Sequence, residues 1–233
     1  MGGSVSHGRT LASTQVKPVG LDRARAFILA NTAVRRPPHV PEIGLHLADE
    51  AHQLWLKTEE ELETMGLPPP FWAFAWAGGQ GLARHVLDNP SIVKGRRVLD
   101  FATGSGLVAI AAAMAGAGSV IAADIDPWCE AAVALNARLN AVRVAFEIAD
   151  LIGRASAWDL VLAGDVFYDK ALAERLMPWF EALRLRGTEI LVGDPGRSYL
   201  PRGCLKELAV YEVPVTRALE DAEIKRTTVW RIT

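Results

Sequence analysis

The sequence predicts an α/β fold: a mostly parallel, seven-stranded sheet with helices on both faces, an antiparallel hairpin at the C-terminal end, and a small N-terminal accessory segment. Three observations predict it. From Arg96 onward, short runs rich in Val, Leu and Ile alternate with longer helical runs, the pattern of parallel strands joined by crossover helices. Several of the strand runs end in an acid, at Asp100, Asp124, Asp150 and Asp165. The final stretch, about forty residues, drops the helices and leaves two strand patterns joined by a short acidic loop, which makes them antiparallel neighbours at a sheet edge.

The elements follow in order. Residues 1–21 have no acidic side chain and are rich in Gly, Ser and Thr, the composition of a flexible arm. Residues 22–90 read as the accessory segment, contributing to the rim of the site. Asp22 is placed to cap a helix running to about Asn31, with Phe27 and Ile28 as its apolar contacts, and Arg35-Arg36-Pro37-Pro38 forces an extended break. Residues 42–47 alternate as a strand, Thr58-Glu59-Glu60-Glu61 starts a helix by the capping-box pattern, and Pro68-Pro69-Pro70 ends it. A run dense in aromatics, Phe71 to Trp76, leads into Gly78-Gly79-Gln80 and a helix to about Leu87. Residues 91–233 form the main domain. Its strands are expected over 97–101, 119–123, 143–148, 159–164 and 188–192, its helices over 105–115, 127–140 and 170–183, and its terminal pair over 208–215 and 225–232.

Composition narrows the function. A chain of 233 residues suits one domain with a small appendage at ~150 residues per domain. With 50% hydrophobic and 22% charged residues it has the balance of a folded globular protein, which excludes fibrous and disordered classes. A net charge of −2 leaves no electrostatic footprint for nucleic acid or an anionic membrane, so neither is an expected partner. Cys129 and Cys204 have no Cys or His neighbours at ligand spacing; no disulfide framework and no metal are expected, and a reducing compartment fits. The uncharged stretch 101–123 is about long enough to span a bilayer, but Gly104, Gly106, Gly116 and Gly118 divide it into a helix and a strand.

The chemistry centres on Val98-Leu99-Asp100-Phe101-Ala102-Thr103-Gly104-Ser105-Gly106, a strand ending in an acid followed by a small-residue turn that feeds a helix. Gly104-x-Gly106-x-x-Ala109 satisfies the dinucleotide spacing, and Asp124 lies about 20 residues on, where a carboxylate holds ribose hydroxyls. Spacing alone does not separate NAD from S-adenosylmethionine. Charge does: a carboxylate at Asp100 repels a pyrophosphate and welcomes the cationic amino-acid portion of S-adenosylmethionine. Because the carboxyl ends of parallel strands share one rim, Asp100, Asp124, Asp150 and Asp165 are expected to converge there.

At these residues the sequence resembles the Rossmann-like, seven-stranded S-adenosylmethionine-dependent methyltransferases and, within them, the electron transfer flavoprotein β-subunit lysine methyltransferases. The segments that carry the resemblance are Pro41-Glu42-Ile43, the run from Phe71 through Trp76 to Gly78-Gly79-Gln80, Asp124-Ile125-Asp126-Pro127, Gly164-Asp165-Val166-Phe167-Tyr168, Gly193-Asp194-Pro195-Gly196-Arg197 and Thr227-Thr228-Val229-Trp230. It spans residues 32–233. Two departures stand out. Ala77 occupies a position where relatives often have proline, and Ala102 replaces the first glycine of the usual loop, which is tolerated if its φ is negative.

The resemblance implies a protein-lysine N-methyltransferase that uses S-adenosylmethionine, with the β subunit of electron transfer flavoprotein as protein substrate, in the cytoplasm, or in the mitochondrial matrix if the source is an animal. Alternatives are methylation of a ribosomal protein or a small-molecule amine, or a non-catalytic cofactor-binding module; the intact Asp165-to-Tyr168 block speaks against the last. Asp165 is expected to orient the substrate amine, while Tyr168 and the aromatics Trp72 to Trp76 wall a channel that favours the neutral amine by desolvation. For the cofactor, Asp124 is expected at the ribose, Asp150 at the adenine amine, and Asp100, Ala102, Thr103, Gly104 and Gly106 at the methionine end, with Trp76 and Gln80 closing over it. Gly79, Ile125, Leu151 and Gly164 complete the cofactor set. Plainer roles stand beside these: core aromatics at Trp72, Phe74, Trp76 and Tyr168, caps at Asp126 and Asp150, and a turn at Asp194 to Arg197 in which Arg197 pairs with a rim carboxylate. His39, His46, His52 and His85 form no constellation.

Overall fold

The computed structural model describes residues 20–48, 69–155, 157–215 and 222–233. Nearly all of the expected N-terminal arm, the helix expected from Thr58, His52 and most of the acidic loop between the last two strands lie outside the described residues.

Helix α1 (Leu21–Asn31) is followed by strands β1 (Ala33–Arg35) and β2 (Leu45–Leu47), then by helix α2 (Ala77–Asp88). The alternating part comprises β3 (Arg97–Phe101), α3 (Leu107–Met114), β4 (Ser119–Asp124), α4 (Trp128–Leu139), β5 (Ala145–Ile148), β6 (Leu160–Gly164), α5 (Lys170–Arg184) and β7 (Glu189–Asp194). Strands β8 (Leu205–Pro214) and β9 (Ile224–Ile232) close the chain.

Seven strands form one sheet in the order β5-β4-β3-β6-β7-β9-β8. The pairs from β5 through β7 are parallel, whereas β9 runs antiparallel to β7 and β8 antiparallel to β9, as the loss of crossover helices predicts. Strands β3 and β6 are buried along nearly their whole length, which is how a parallel sheet covered on both faces reads. Alternate residues feed two cores: Val98, Leu160 and Leu162 pack with Leu82 and Ile110 on one face, and Leu99, Val161 and Ala163 pack with Leu176 and Phe180 of α5 on the other. The order reverses between β3 and β6. In open α/β sheets that reversal marks the ligand crevice.

The stretch 101–123 divides into the end of β3, all of α3 and most of β4, and no helix among the described residues is long and apolar enough to cross a membrane. At α1, Gly20 rather than Asp22 occupies the N-cap; Asp22 lies in the first turn, where its charge still favours the helix dipole. The break expected at Arg35 is a strand instead, pairing Ala33 with Leu47 and Arg35 with Leu45, while residues 42–44 stay outside β2. Arg36 closes the connection by donating to the carbonyls of Pro41 and Glu42 at 2.7 and 3.0 Å.

Helix α2 begins on the carboxyl ends of β6 and β7, at a distance only glycine permits. A Cβ added at Gly78 would lie 2.3 Å from the Gly193 carbonyl oxygen, and one added at Gly193 would lie 2.1 Å from that of Gly78. The same approach brings Gly79 against Gly164.

Candidate active site

The carboxyl ends of β3, β4 and β6, with the loop after β5, open on a cavity of about 360 Å³, a size that suits a cofactor. Asp100, only 2% exposed, accepts the Thr103 hydroxyl at 2.5 Å and the Ala109 N–H at 2.9 Å through one oxygen, tying strand, turn and α3 together. Burial pushes its carboxyl up to about 7. Within the turn, Ala102 (φ 53°), Gly104 (φ 52°) and Gly106 (φ 83°) are all left-handed. The condition set for Ala102 is therefore not met: its methyl is carried in the region that L-residues avoid because Cβ crowds the following carbonyl.

Asp124, at the end of β4, accepts the Gly104 N–H at 3.0 Å and the Asp126 N–H at 3.1 Å on separate oxygens, and the Cys129 thiol and the Ile125 N–H bond to the same carboxyl. Burial raises its carboxyl. Asp126 accepts the Trp128 N–H at 2.9 Å at the start of α4 while still lining the cavity, and burial pushes it to about 7. Asp150 is bound twice, to the Ile152 N–H at 3.0 Å and to the Arg175 guanidinium. Burial lifts its carboxyl, but these bonds outweigh the lift and hold it below the ordinary range.

Asp165 has φ 56°, a conformation that aspartate tolerates better than most residues. One oxygen accepts Nε and Nη2 of Arg197 at 3.0 and 2.6 Å; the other accepts the Gly79 N–H at 3.0 Å. Trp76, at the N-cap of α2, caps nothing with its side chain, so Asp165 supplies an anionic cap from across the sheet end. Burial pushes the carboxyl to about 6 against the pull of Arg197. Beside it stands an aromatic wall. Trp76 lies 5.8 Å from Phe71 and 5.9 Å from Phe74, Tyr168 lies 5.8 Å from Phe71, and the Arg197 guanidinium sits 5.8 Å from the Trp76 ring centre. Tyr168 is 54% exposed, at the mouth rather than in the core.

Of the residues expected at the site, Trp76, Gly79, Asp100, Ala102, Thr103, Gly104, Asp124, Ile125, Asp150, Gly164, Asp165 and Tyr168 line the cavity. Three do not. Gln80 is buried in α2, its amide donating to the Ala75 carbonyl at 2.8 Å and accepting the His39 N–H at 3.3 Å, so its side chain braces the N-terminal segment instead of closing over a ligand. Gly106 serves as the N-cap of α3, and Leu151 is fully buried in the α5 core. Trp72 also departs from the expected wall: 1% exposed, it stacks on Trp128 at 6.1 Å and joins α4 to the core around α1. Sequence reasoning missed Phe71, Cys129 and Arg175 as lining residues, and foresaw Arg197 only as a carboxylate's partner. The density of aromatics was a signal for Phe71; nothing in a helix-surface arginine distinguished Arg175.

Five aspartates, at 100, 124, 126, 150 and 165, face two guanidiniums in this cavity, those of Arg175 and Arg197. That balance suits a cationic ligand and opposes a pyrophosphate.

Residues 84–173 match the family described as ribosomal protein L11 methyltransferase (PrmA). Over 213 residues the chain is 42% identical to the electron transfer flavoprotein β subunit lysine methyltransferase of Xenopus laevis, covering 88% of this chain and 85% of that protein. The protein of the same name from Homo sapiens is 36% identical over 214 residues, covering 88% of this chain and 80% of its own. Among solved structures, the magnesium protoporphyrin IX methyltransferase of Synechocystis PCC 6803 with bound S-adenosylmethionine shares the fold at a TM-score of 0.50 and 16% identity, over 67% of this chain and 80% of that one.

Proposed function

Because the chain belongs to the family of electron transfer flavoprotein β-subunit lysine methyltransferases, we propose that it methylates lysine side chains of that subunit, with S-adenosylmethionine held in the rim cavity. The observation that carries the reading is that one cavity is lined both by Asp100, Asp124 and the left-handed turn, which we assign to the methyl donor, and by Asp165, Arg197 and the aromatic wall, which we assign to the amine.

The residues present fit the cofactor. Asp124 presents its carboxyl to ribose hydroxyls, and Asp100, with the 102–104 turn, gives up the proton that burial holds in the ligand-free chain and so offers negative charge to the cationic amino-acid moiety. Asp150, already bound to Arg175 and Ile152, meets an adenine amine with its remaining lone pairs. When bound, S-adenosylmethionine would supply a methyl group on a positive sulfonium, the amine lone pair forming the N–C bond as the S–C bond breaks to leave S-adenosylhomocysteine and a methylated ammonium. This chain's task is to orient the amine, keep water out and receive it without its proton, although a free lysine holds that proton to about pH 10.4. Phe71, Phe74, Trp76 and Tyr168 strip water from the amine, which disfavours its charged form. Asp165 accepts a hydrogen bond from the remaining N–H through a lone pair not used by Arg197 or Gly79, fixing the nitrogen's direction.

The test incubates the protein with tritiated S-adenosylmethionine and purified electron transfer flavoprotein. Label on lysines of the β subunit is expected, and Asp165→Asn should slow transfer by a factor on the order of 10² while cofactor affinity changes much less. No label on the β subunit, from a chain that binds S-adenosylhomocysteine in calorimetry, would refute the substrate. Normal turnover in Asp165→Asn would reduce Asp165 to a helix cap.

A further inference from the structure

We propose that Arg197 is a positioning residue that sets the protonation state of the substrate: by holding the Asp165 carboxylate it makes the amine-facing pair electrically neutral, so the site takes lysine as the free amine. This rests on the lysine-methyltransferase reading and deepens it.

A lone carboxylate beside the amine would work against transfer. It favours the ammonium, whose nitrogen has no lone pair to attack with. Asp165 is not alone, because Nε and Nη2 of Arg197 both bond one of its oxygens, at 3.0 and 2.6 Å. An ammonium entering there meets a cation and an anion together and gains little from either, while the surrounding aromatic wall removes its water. Both effects push the ammonium's proton off to bulk water before the nitrogen, now carrying a free lone pair, reaches the methyl group.

The arginine is held for this task rather than lying loosely on the surface. Asp194, at the end of β7, accepts the N–H groups of Gly196 and Arg197 at 2.7 Å each, fixing the turn from which the side chain leaves. The guanidinium then spans from Asp165 to the face of Trp76, 5.8 Å from the ring centre. The other groups around Asp165 do not supply the missing charge. Helix α2 presents the Gly79 N–H and no acid in its first turn, and Tyr168 is a phenol whose proton is held by partial desolvation and by the charges of Asp124 and Asp169. Asp194 adds negative charge at Asp165, in the direction opposite to Arg197, while Asp124 and Asp169 act on Tyr168. Among the described lining residues, the only other cation is Arg175, which is bound to Asp150.

The test measures single-turnover methylation of the flavoprotein β subunit by the full chain preloaded with S-adenosylmethionine, from about pH 6.5 to about pH 9.5, where the acid limb reports the bound amine. In Arg197→Gln the carboxylate and amine share a proton, so the acid limb should move up by about one unit or more, an approximately tenfold loss near pH 7 that is recovered at high pH. Arg197→Lys, which keeps the charge, should hold the limb within a few tenths of a unit of the wild type. The double change Arg197→Gln with Asp165→Asn restores neutrality and should return the limb toward its original pH, even at a lower plateau. An equal loss at every pH in Arg197→Gln, or a double variant whose limb stays high, overturns the proposal and leaves Arg197 a structural ion pair. Should Arg197→Gln fail to fold, the lysine and double variants carry the same decision. A wild-type chain that methylates no lysine of the β subunit overturns the functional reading and this proposal with it; a wild-type chain that does, with an unmoved limb in the variants, overturns the proposal alone.

Discussion

Replacing each of two adjacent glycines by alanine should have opposite effects. A Cβ on Gly78 would sit 2.3 Å from the Gly193 carbonyl oxygen and 2.5 Å from an Asp165 carboxylate oxygen. The first of these is backbone and cannot swing aside, so α2 must lift off the ends of β6 and β7. Such overpacking costs about 1–3 kcal/mol. Lifting the helix also stretches the bond from the Gly79 N–H to the Asp165 carboxylate, a charged bond worth about 1.5–3 kcal/mol. Alanine's better helix propensity returns about 1 kcal/mol, leaving a net loss of about 2–5 kcal/mol. At ~2–4 °C per kcal/mol for a chain of this size, the melting temperature should fall by roughly 4–20 °C. A Cβ on Gly79, by contrast, meets only Val108 and Leu107 side chains, at 3.9 and 4.0 Å, ordinary contact distances. Gly79→Ala should leave stability unchanged or raise it by about 0.4–1 kcal/mol. Urea unfolding of the two variants beside the wild type makes the comparison, and equal midpoints for Gly78→Ala and Gly79→Ala would show that the close approach does not govern this junction.

Asp124→Ala should weaken S-adenosylhomocysteine binding by about 1.5–3 kcal/mol in calorimetry with the fold intact; unchanged affinity would leave Asp124 a structural role in bonding the loop around it. Ala102→Gly should stabilise the ligand-free chain by about 0.5–1 kcal/mol, since relief of about 1–2 kcal/mol of left-handed strain exceeds the extra entropy of an unfolded glycine; a drop in urea midpoint contradicts that. The buried Asp100, at about 7, keeps in the folded state a proton that the unfolded chain has released above about pH 4. Stability of the ligand-free protein should therefore fall as pH rises from about 5 to about 7, with Asp100 contributing about 2 kcal/mol of that fall and Asp100→Asn removing its share. Thermal unfolding of both proteins at the two pH values checks it, and an identical pH dependence would mean that Asp100 is not held protonated.

What could be read in the sequence follows from what is local. Strand boundaries at Arg97 and Ser119 and the convergence of Asp100, Asp124 and Asp165 were legible, because apolar runs fix strands and parallel strands end on one rim. The antiparallel terminal pair was legible for a similar reason: the last two runs stand too close in sequence to be joined by a crossover helix. The failures are tertiary. Trp72 and Trp76 are alike in sequence, and only the position of Trp128 sends the first into the core and leaves the second on the cavity. Gln80 looked like a ligand closer, yet the Ala75 carbonyl and the His39 amide claim it. β1 was invisible because three residues with an arginine among them carry no strand signature until Leu45–Leu47 pairs with them. The sign of φ at Ala102 is set by the turn joining β3 to α3, not by any preference of alanine.

The glycine junction between α2 and the strand ends also imposes an order in time. Gly78 leaves the ribosome more than a hundred residues ahead of Gly193, a lead of roughly 5–25 s at ~5–20 residues per second. Throughout that interval the first turn of α2 has no strand β7 to rest on. Asp100 and Asp124 are synthesised long before Asp165 acquires the Gly193 carbonyl that accepts its backbone N–H at 2.9 Å. The methyl-donor end is thus made early in the life of the nascent chain and the amine end late, so a chain halted before β7 lacks the partner that anchors the backbone of its amine-orienting carboxylate.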